Sequence, residues 1–211
     1  MTLEKLLEEI SRLKSSKVRE TLDRRVREFK ELGKKDDGAW FSELCFCILT
    51  ANSTAKLGIK IQSEMGPHGF LLLPRSILTA EFKQAGHRFY NKRAEFIANA
   101  RKFHNIKEII TKFPDEQAAR EWLAKNVDGI GYKEASHFLR NVGYSDVAIL
   151  DRHILTLMRE HGLLGPTPRT LTRKKYLAVE EKLRELARKA DLSIAKLDLY
   201  LWYMKTGEIL K

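Results

Sequence analysis

The sequence predicts an all-α protein. Apolar residues recur at helical spacing along most of the chain, glycine and proline punctuate those runs where helices would end, and no stretch alternates apolar and polar residues long enough to read as a strand.

Leu3, Leu6, Leu7, Ile10 and Leu13 share one helical face; Leu22, Val26 and Phe29 share the next, which Gly33 is expected to close. Residues 38–49 are apolar almost all round and read as a helix buried on every side. Ser53 is placed to cap a helix reaching about residue 65, where Gly66-Pro67-His68-Gly69 breaks the pattern. A short helix over 74–85 and a longer one over 91–112 follow. Residues 115–125 and 133–141 form two arms around a glycine-rich turn. Asp151 starts the next helix, the Gly165-Pro166-Thr167-Pro168 linker breaks it, and the last two helices span about 172–189 and 193–205. The expected organisation is a central lobe over 53–150 and a second lobe built from 1–52 plus 151–211. Ligands commonly sit where two lobes meet, so the cleft between them should contain Lys133 and Asp151.

Composition narrows the function. The 211 residues carry 39 Lys and Arg against 28 Asp and Glu, a net charge of +11, and a basic chain of this size usually faces a polyanion. Nucleic acid is the leading partner; a lysine- and glutamate-rich surface of a heat-adapted protein is the competing explanation. The two cysteines, Cys45 and Cys47, are two apart within the buried run, where they point to different helix faces and suit neither a disulfide nor a metal. Residues 1–14 alternate charge with leucine rather than forming a secretory signal, and no run approaches the roughly 20 apolar residues of a membrane span. A soluble protein of a reducing cytoplasm is expected, with no membrane association.

The chemistry concentrates in Val127-Asp128-Gly129-Ile130-Gly131-Tyr132-Lys133-Glu134-Ala135. Gly129 and Gly131 permit positive φ and remove side chains that would obstruct a phosphate, and the amides beyond Gly131 open a helix whose positive end favours an anion. Such a contact grips a DNA backbone without reading bases. An ordinary helix-helix turn closed by glycines is the plainer reading, but the pattern continues through Ala135, Phe138 and Leu139 and is more specific than Gly-x-Gly alone. Lys133 at the mouth of that second helix is placed to attack a sugar carbon as a free amine and form a Schiff base. Asp151 would act as base toward the amine, or stabilise positive charge at C1′ as a glycosidic bond breaks. A plain helix N-cap is the competing role for Asp151.

The hairpin lysine and the later aspartate resemble the helix-hairpin-helix-GPD DNA glycosylase superfamily, to which endonuclease III belongs. Phe41-Ser42-Glu43-Leu44 through Ile48-Leu49-Thr50-Ala51-Asn52 is similar to its buried helix and DNA-facing loop, and Gly86-His87-Arg88-Phe89-Tyr90-Asn91-Lys92-Arg93-Ala94 to its glycine-aromatic-Lys-Ala segment. The resemblance covers roughly residues 38 to 205. The four C-terminal cysteines that hold an iron-sulfur cluster in endonuclease III are missing. Among the superfamily's members, the chain most resembles the compact type-2 8-oxoguanine DNA glycosylase/AP lyases of archaea and thermophilic bacteria.

That resemblance implies a two-lobed helical fold without an iron-sulfur cluster, and excision of 8-oxoguanine from double-stranded DNA with strand cleavage at abasic sites. Lys133 is implied as nucleophile and Asp151 as its helper, with Phe89 and Trp202 sandwiching the flipped base and Lys211 telling 8-oxoguanine from guanine. The C-terminal carboxylate would accept the N7–H that only the lesion carries. Asp198 is the alternative acceptor if the tail does not fold back. Asn52 would enter the gap left by the extruded base, with Gly129 and Gly131 holding the DNA backbone. His87 and Arg88 would reach the opposite strand or a phosphate, while Lys92, Arg93, Arg140 and Arg152 would add to the basic surface. No metal or cofactor is required, and a monomer at the prokaryotic nucleoid is expected. An endonuclease III-like specificity for oxidised pyrimidines, or a non-catalytic DNA-binding module, are the rival readings.

Overall fold

A computed structural model describes residues 2–165 and 171–211, and these form twelve α-helices with no strand among the described residues. The first, α1 (Leu3–Lys14), is capped by Thr2 and buries Leu6 and Ile10. Gly33 does not close α2 (Val18–Lys34). A Cβ at Gly33 would lie 2.4 Å from the Val142 carbonyl oxygen, so this glycine allows two backbones to touch.

The all-apolar run is α3 (Asp37–Thr50), capped by Asp36 and buried from Trp40 to Thr50. Each fully buried Leu, Ile or Phe there contributes about 1.5–3 kcal/mol, so α3 anchors everything packed around it. Thr54, not Ser53, caps α4 (Ala55–Leu72): its Oγ1 accepts from the Leu57 amide at 3.2 Å. Gly66 (φ 59°, ψ 176°) kinks α4 where the break is expected, but the helix resumes at once because Pro67 suits a first turn.

After α5 (Arg75–Gln84), the single helix expected over 91–112 is divided into α6 (Tyr90–Ala100), one 3-10 turn (Arg101–Phe103) and α7 (Ile106–Ile110). Tertiary partners impose the division. Arg101 donates to the Phe70 and Leu73 carbonyls at the end of α4, and the Lys107 amide donates to Asp37 at the start of α3. The remaining helices are α8 (Glu116–Asn126), α9 (Tyr132–Asn141), α10 (Arg152–Glu160), α11 (Arg173–Lys189) and α12 (Ile194–Thr206). Gly162 adopts φ 74° just past the end of α10; residues 166–168 of the expected linker lie outside the described residues.

Two main cores result. One gathers α3 with α4 to α9, from Trp40 to Val147. The other joins α1 to α10, α11 and α12 through Leu6, Ile10, Leu157, Met158, Leu186 and Leu197. A smaller cluster of Leu22, Phe29, Leu199 and Tyr200 ties α2 to α12. The helix α3, which precedes the expected boundary at residue 53, thus shares its core with the segment that follows.

Candidate active site

The turn between α8 and α9 closes with the Ile130 amide donating to the Val127 carbonyl at 3.2 Å, and both side chains point into the core. Gly129 needs its freedom: its φ is 80°, and a Cβ would lie 2.5 Å from the Phe96 ring. Gly131 does not, for its φ of −98° suits any residue. What Gly131 provides is an N-cap without a side chain, which leaves the first amides of α9 uncapped and open to an anion.

Helix α9 buries Ala135, Phe138 and Leu139 and turns Lys133, Glu134, His137 and Arg140 toward a cleft of about 850 Å³. Asp151, Asp198, Trp202 and Lys211 line the same cleft. Residues far apart in the chain therefore meet in one cavity.

Lys133 is 29% exposed and its Nζ lies 3.1 Å from Glu134 Oε1, so its resting ion partner is Glu134. Asp151 caps α10: its Oδ1 accepts from both the His153 and Ile154 amides at 2.9 Å. That is the N-cap role, yet it engages one carboxylate oxygen and leaves the group on the cleft wall. The approach to Asp151 is held by a buried staple. Arg120 pairs with Glu180 through both its terminal nitrogens, Glu180 accepts from the Ala148 amide at 2.8 Å, and the Tyr176 hydroxyl donates to the Ala148 carbonyl at 2.6 Å while accepting from the Leu150 amide at 3.3 Å. The same hydroxyl lies 3.4 Å from Ser136 Oγ on α9, so the helix bearing Lys133 and the segment leading to Asp151 share one buried anchor.

Asp198 and Arg140 form a buried ion pair at 2.5 Å. Burial raises the Asp198 pKa to about 6, and the nearby Asp151 charge adds to the rise against the pull of Arg140. From Arg140 the hydrogen bonds continue to Asn141, then to Glu43 at 2.6 Å, and Glu43 accepts from Lys211 Nζ at 2.9 Å. Lys211 also donates to Gln62 and sits 4.4 Å over the Phe46 ring. The tail is thus folded back, with the Lys211 ammonium held inside and its main chain at the cleft.

The structure separates some residues that the sequence-based reading groups together. Trp202 faces the main cleft, its ring edge-on to His153 with centroids 5.0 Å apart. Phe89 lies instead in an adjoining hollow of about 390 Å³ with Gly129, Lys92 and Arg93, and Asn52, at φ 57°, borders both cavities. His87 does not reach outward. It is 1% exposed, accepting from the Phe89 amide at Nδ1 and meeting the Leu49 carbonyl at 2.9 Å through Nε2. Burial lowers its pKa, in keeping with a neutral ring that accepts on one nitrogen and donates from the other. Arg93 and Arg140 are likewise buried rather than part of the basic surface, Arg93 donating to the Ala51 carbonyl beside Asn52. Arg88 stacks 4.4 Å over Phe89. Sequence reasoning passed over Glu43, Glu134 and His137. The signal for His137 was available, since Lys133, His137 and Arg140 follow the i, i+4, i+7 rhythm of one helix face.

Residues 22–192 match the family model described as 8-oxoguanine DNA glycosylase. A Korarchaeum cryptofilum protein named 8-oxoguanine DNA glycosylase/AP lyase is 47% identical over 212 residues, covering 100% of each chain. The crystal structure of the Methanocaldococcus jannaschii 8-oxoguanine glycosylase/lyase with 15mer DNA containing 8-oxoguanine superposes with a TM-score of 0.96 at 53% identity, over 98% of this chain and 99% of that one. The Thermotoga maritima 8-oxoguanine DNA glycosylase superposes at 0.93 with 44% identity, over 99% and 100%. Shared helices, a shared length and a family match spanning the hairpin and Asp151 lead to one assignment: the chain belongs to the 8-oxoguanine DNA glycosylase family.

Proposed function

We propose that this protein excises 8-oxoguanine from double-stranded DNA and then cleaves the strand, with Lys133 as nucleophile and Asp151 as its helper. The observation that carries the reading is the convergence of Lys133, Asp151, Trp202 and Lys211 on one cleft beside an uncapped helix N-terminus. Backbone phosphate meets the open amides of α9 next to Gly129 and Gly131, and the lesion swings out into the cleft. Lys133 gives a proton to Asp151 and its Nζ bonds to C1′. The C1′–N9 bond breaks, its electron pair leaves with the base, and the base takes up a proton. Opening of the sugar produces the Schiff base, which acidifies C2′. Loss of a C2′ proton then expels the 3′ phosphate, the lyase step.

Trp202 supplies one wall for the flipped base, and base–aromatic stacking is worth about 1–3 kcal/mol. Phe89, across Asn52 from the cleft, is its proposed partner once DNA is bound. The Lys211 carboxylate accepts the N7–H of the lesion and repels the N7 lone pair of guanine. Asp198 is less suited to that task because Arg140 already occupies its Oδ2. The enzyme acts as a monomer, at the nucleoid in a prokaryotic cytoplasm. No described helix is long and apolar enough to cross a membrane.

Borohydride trapping on 8-oxoguanine duplex tests the assignment: the wild type cross-links and Lys133→Gln does not. Equal trapping by the variant would remove Lys133 from the role. A panel of lesion duplexes in which an oxidised pyrimidine is released fastest would favour the endonuclease III-like specificity instead.

A further inference from the structure

His137 has no part in the steps above, yet its position is unusual. It lies one turn beyond Lys133 and just before Arg140 on α9, is 8% exposed, and lines the cleft. Its ring meets the Phe46 ring edge-on at 5.5 Å and lies against the Lys211 main chain, to which it bonds weakly. Its Nε2 is shielded from solvent and makes no close hydrogen bond to any described residue. Leaving a buried polar nitrogen unpaired costs about 1–3 kcal/mol, so such a group calls for a reason.

Geometry supplies one. A helix rises about 5.4 Å per turn, and a purine reaches about that far from its C1′. With C1′ at the Lys133 amine and the base directed along α9 toward its C-terminus, the far edge of the base would fall level with His137.

We propose that His137 is a further catalytic residue, donating from Nε2–H to a carbonyl oxygen of the extruded 8-oxoguanine and stabilising the negative charge that builds on the base as C1′–N9 breaks. This rests on the excision reading above. The imidazole shares its proton with the carbonyl oxygen and keeps it, while the electron pair of the broken bond stays on the base. The proton that finally neutralises the base is the one Lys133 gave up on attack. Burial, with the charges of Arg140 and Lys133, holds the His137 pKa well below its ordinary value, so the ring is a neutral donor. A neutral imidazole suits this task because it strengthens its hydrogen bond as charge develops without first paying to bury a cation.

The test compares two substrates in single-turnover reactions: a duplex containing 8-oxoguanine and a duplex with a preformed abasic site, which has no base for His137 to contact. His137→Leu is expected to lose on the order of 100-fold in base release while β-elimination at the abasic site stays within about two-fold of wild type. His137→Gln, whose amide nitrogen reaches the place of Nε2, is expected to recover most of the lost excision. An equal loss on both substrates would make His137 a packing residue, and unchanged excision would take it out of the chemistry; either result overturns the proposal. Wild type that cleaves the abasic duplex but releases no 8-oxoguanine would refute the excision reading itself, a separate outcome.

Discussion

Tyr176→Phe removes one oxygen atom from a buried position and should cost more than most conservative changes. The Tyr176 side chain is 3% exposed, and its hydroxyl donates to the Ala148 carbonyl at 2.6 Å and accepts from the Leu150 amide at 3.3 Å. The substitution keeps the ring and its contact with Tyr132, whose centroid is 5.4 Å away, so no large cavity opens. What it leaves is two buried main-chain groups without a partner, at about 1–3 kcal/mol each. The expected loss is therefore about 2–6 kcal/mol, a large share of the 5–15 kcal/mol that holds typical domains together. For a chain of this length, at about 2–4 °C per kcal/mol, that corresponds to a fall in Tm of about 4–24 °C. Urea unfolding followed by far-UV circular dichroism measures it directly. A second consequence follows from location: Ala148 and Leu150 lead straight into Asp151, so the excision rate should fall at temperatures where the variant is still fully folded. A stability loss below about 1 kcal/mol would show that the two main-chain groups find other partners, and would refute the staple as the element that holds Asp151 in register.

Two further changes test the hairpin and the buried acid. Gly129→Ala forces a side chain into positive φ and against the Phe96 ring, and should lower stability by about 2–4 kcal/mol, whereas Gly131→Ala, whose Cβ would meet only Glu134 Oε2 at 3.4 Å, should cost under about 1 kcal/mol. Similar losses in parallel urea titrations would contradict this asymmetry. Asp198, with its pKa raised to about 6, holds a proton between about pH 4 and 6 where the unfolded chain does not. The folded state binds more protons there, so this contribution to stability is full below about pH 4 and is lost as pH rises through 6, by about 3 kcal/mol in all. Asp198→Asn should remove that slope; unfolding free energies measured from pH 4.5 to 7.5 that keep the wild-type slope would rule it out.

Much of this was legible before any coordinates. Helices α1, α2, α3, α8, α9, α11 and α12 follow from apolar spacing and the residues that break it, because both act within a few positions of the chain. The same local logic located the glycine turn and drew attention to Lys133 and Asp151. It misjudged Ser53, since Thr54 next door caps equally well, and it joined 91–112 into one helix because nothing local reveals that Arg101 and Lys107 are needed as partners of α4 and α3. It also placed His87, Arg93 and Arg140 outside, as their charge or polarity suggests on average, when each bonds to a buried partner distant in the chain.

By itself, then, the sequence determined the helical class, the glycine hairpin with Lys133 at its mouth, and the family. Only the tertiary structure decided that Phe89 and Trp202 face different cavities, that Lys133 rests on Glu134, that the Lys211 ammonium is turned inward onto Glu43, and that His137 looks into the cleft. The division has a physical cause. Helix formation, capping and turns are governed by neighbours along the chain, whereas the direction and ionisation of a side chain in a cleft depend on desolvation and on charges brought from other helices, which come together only when the cores have packed.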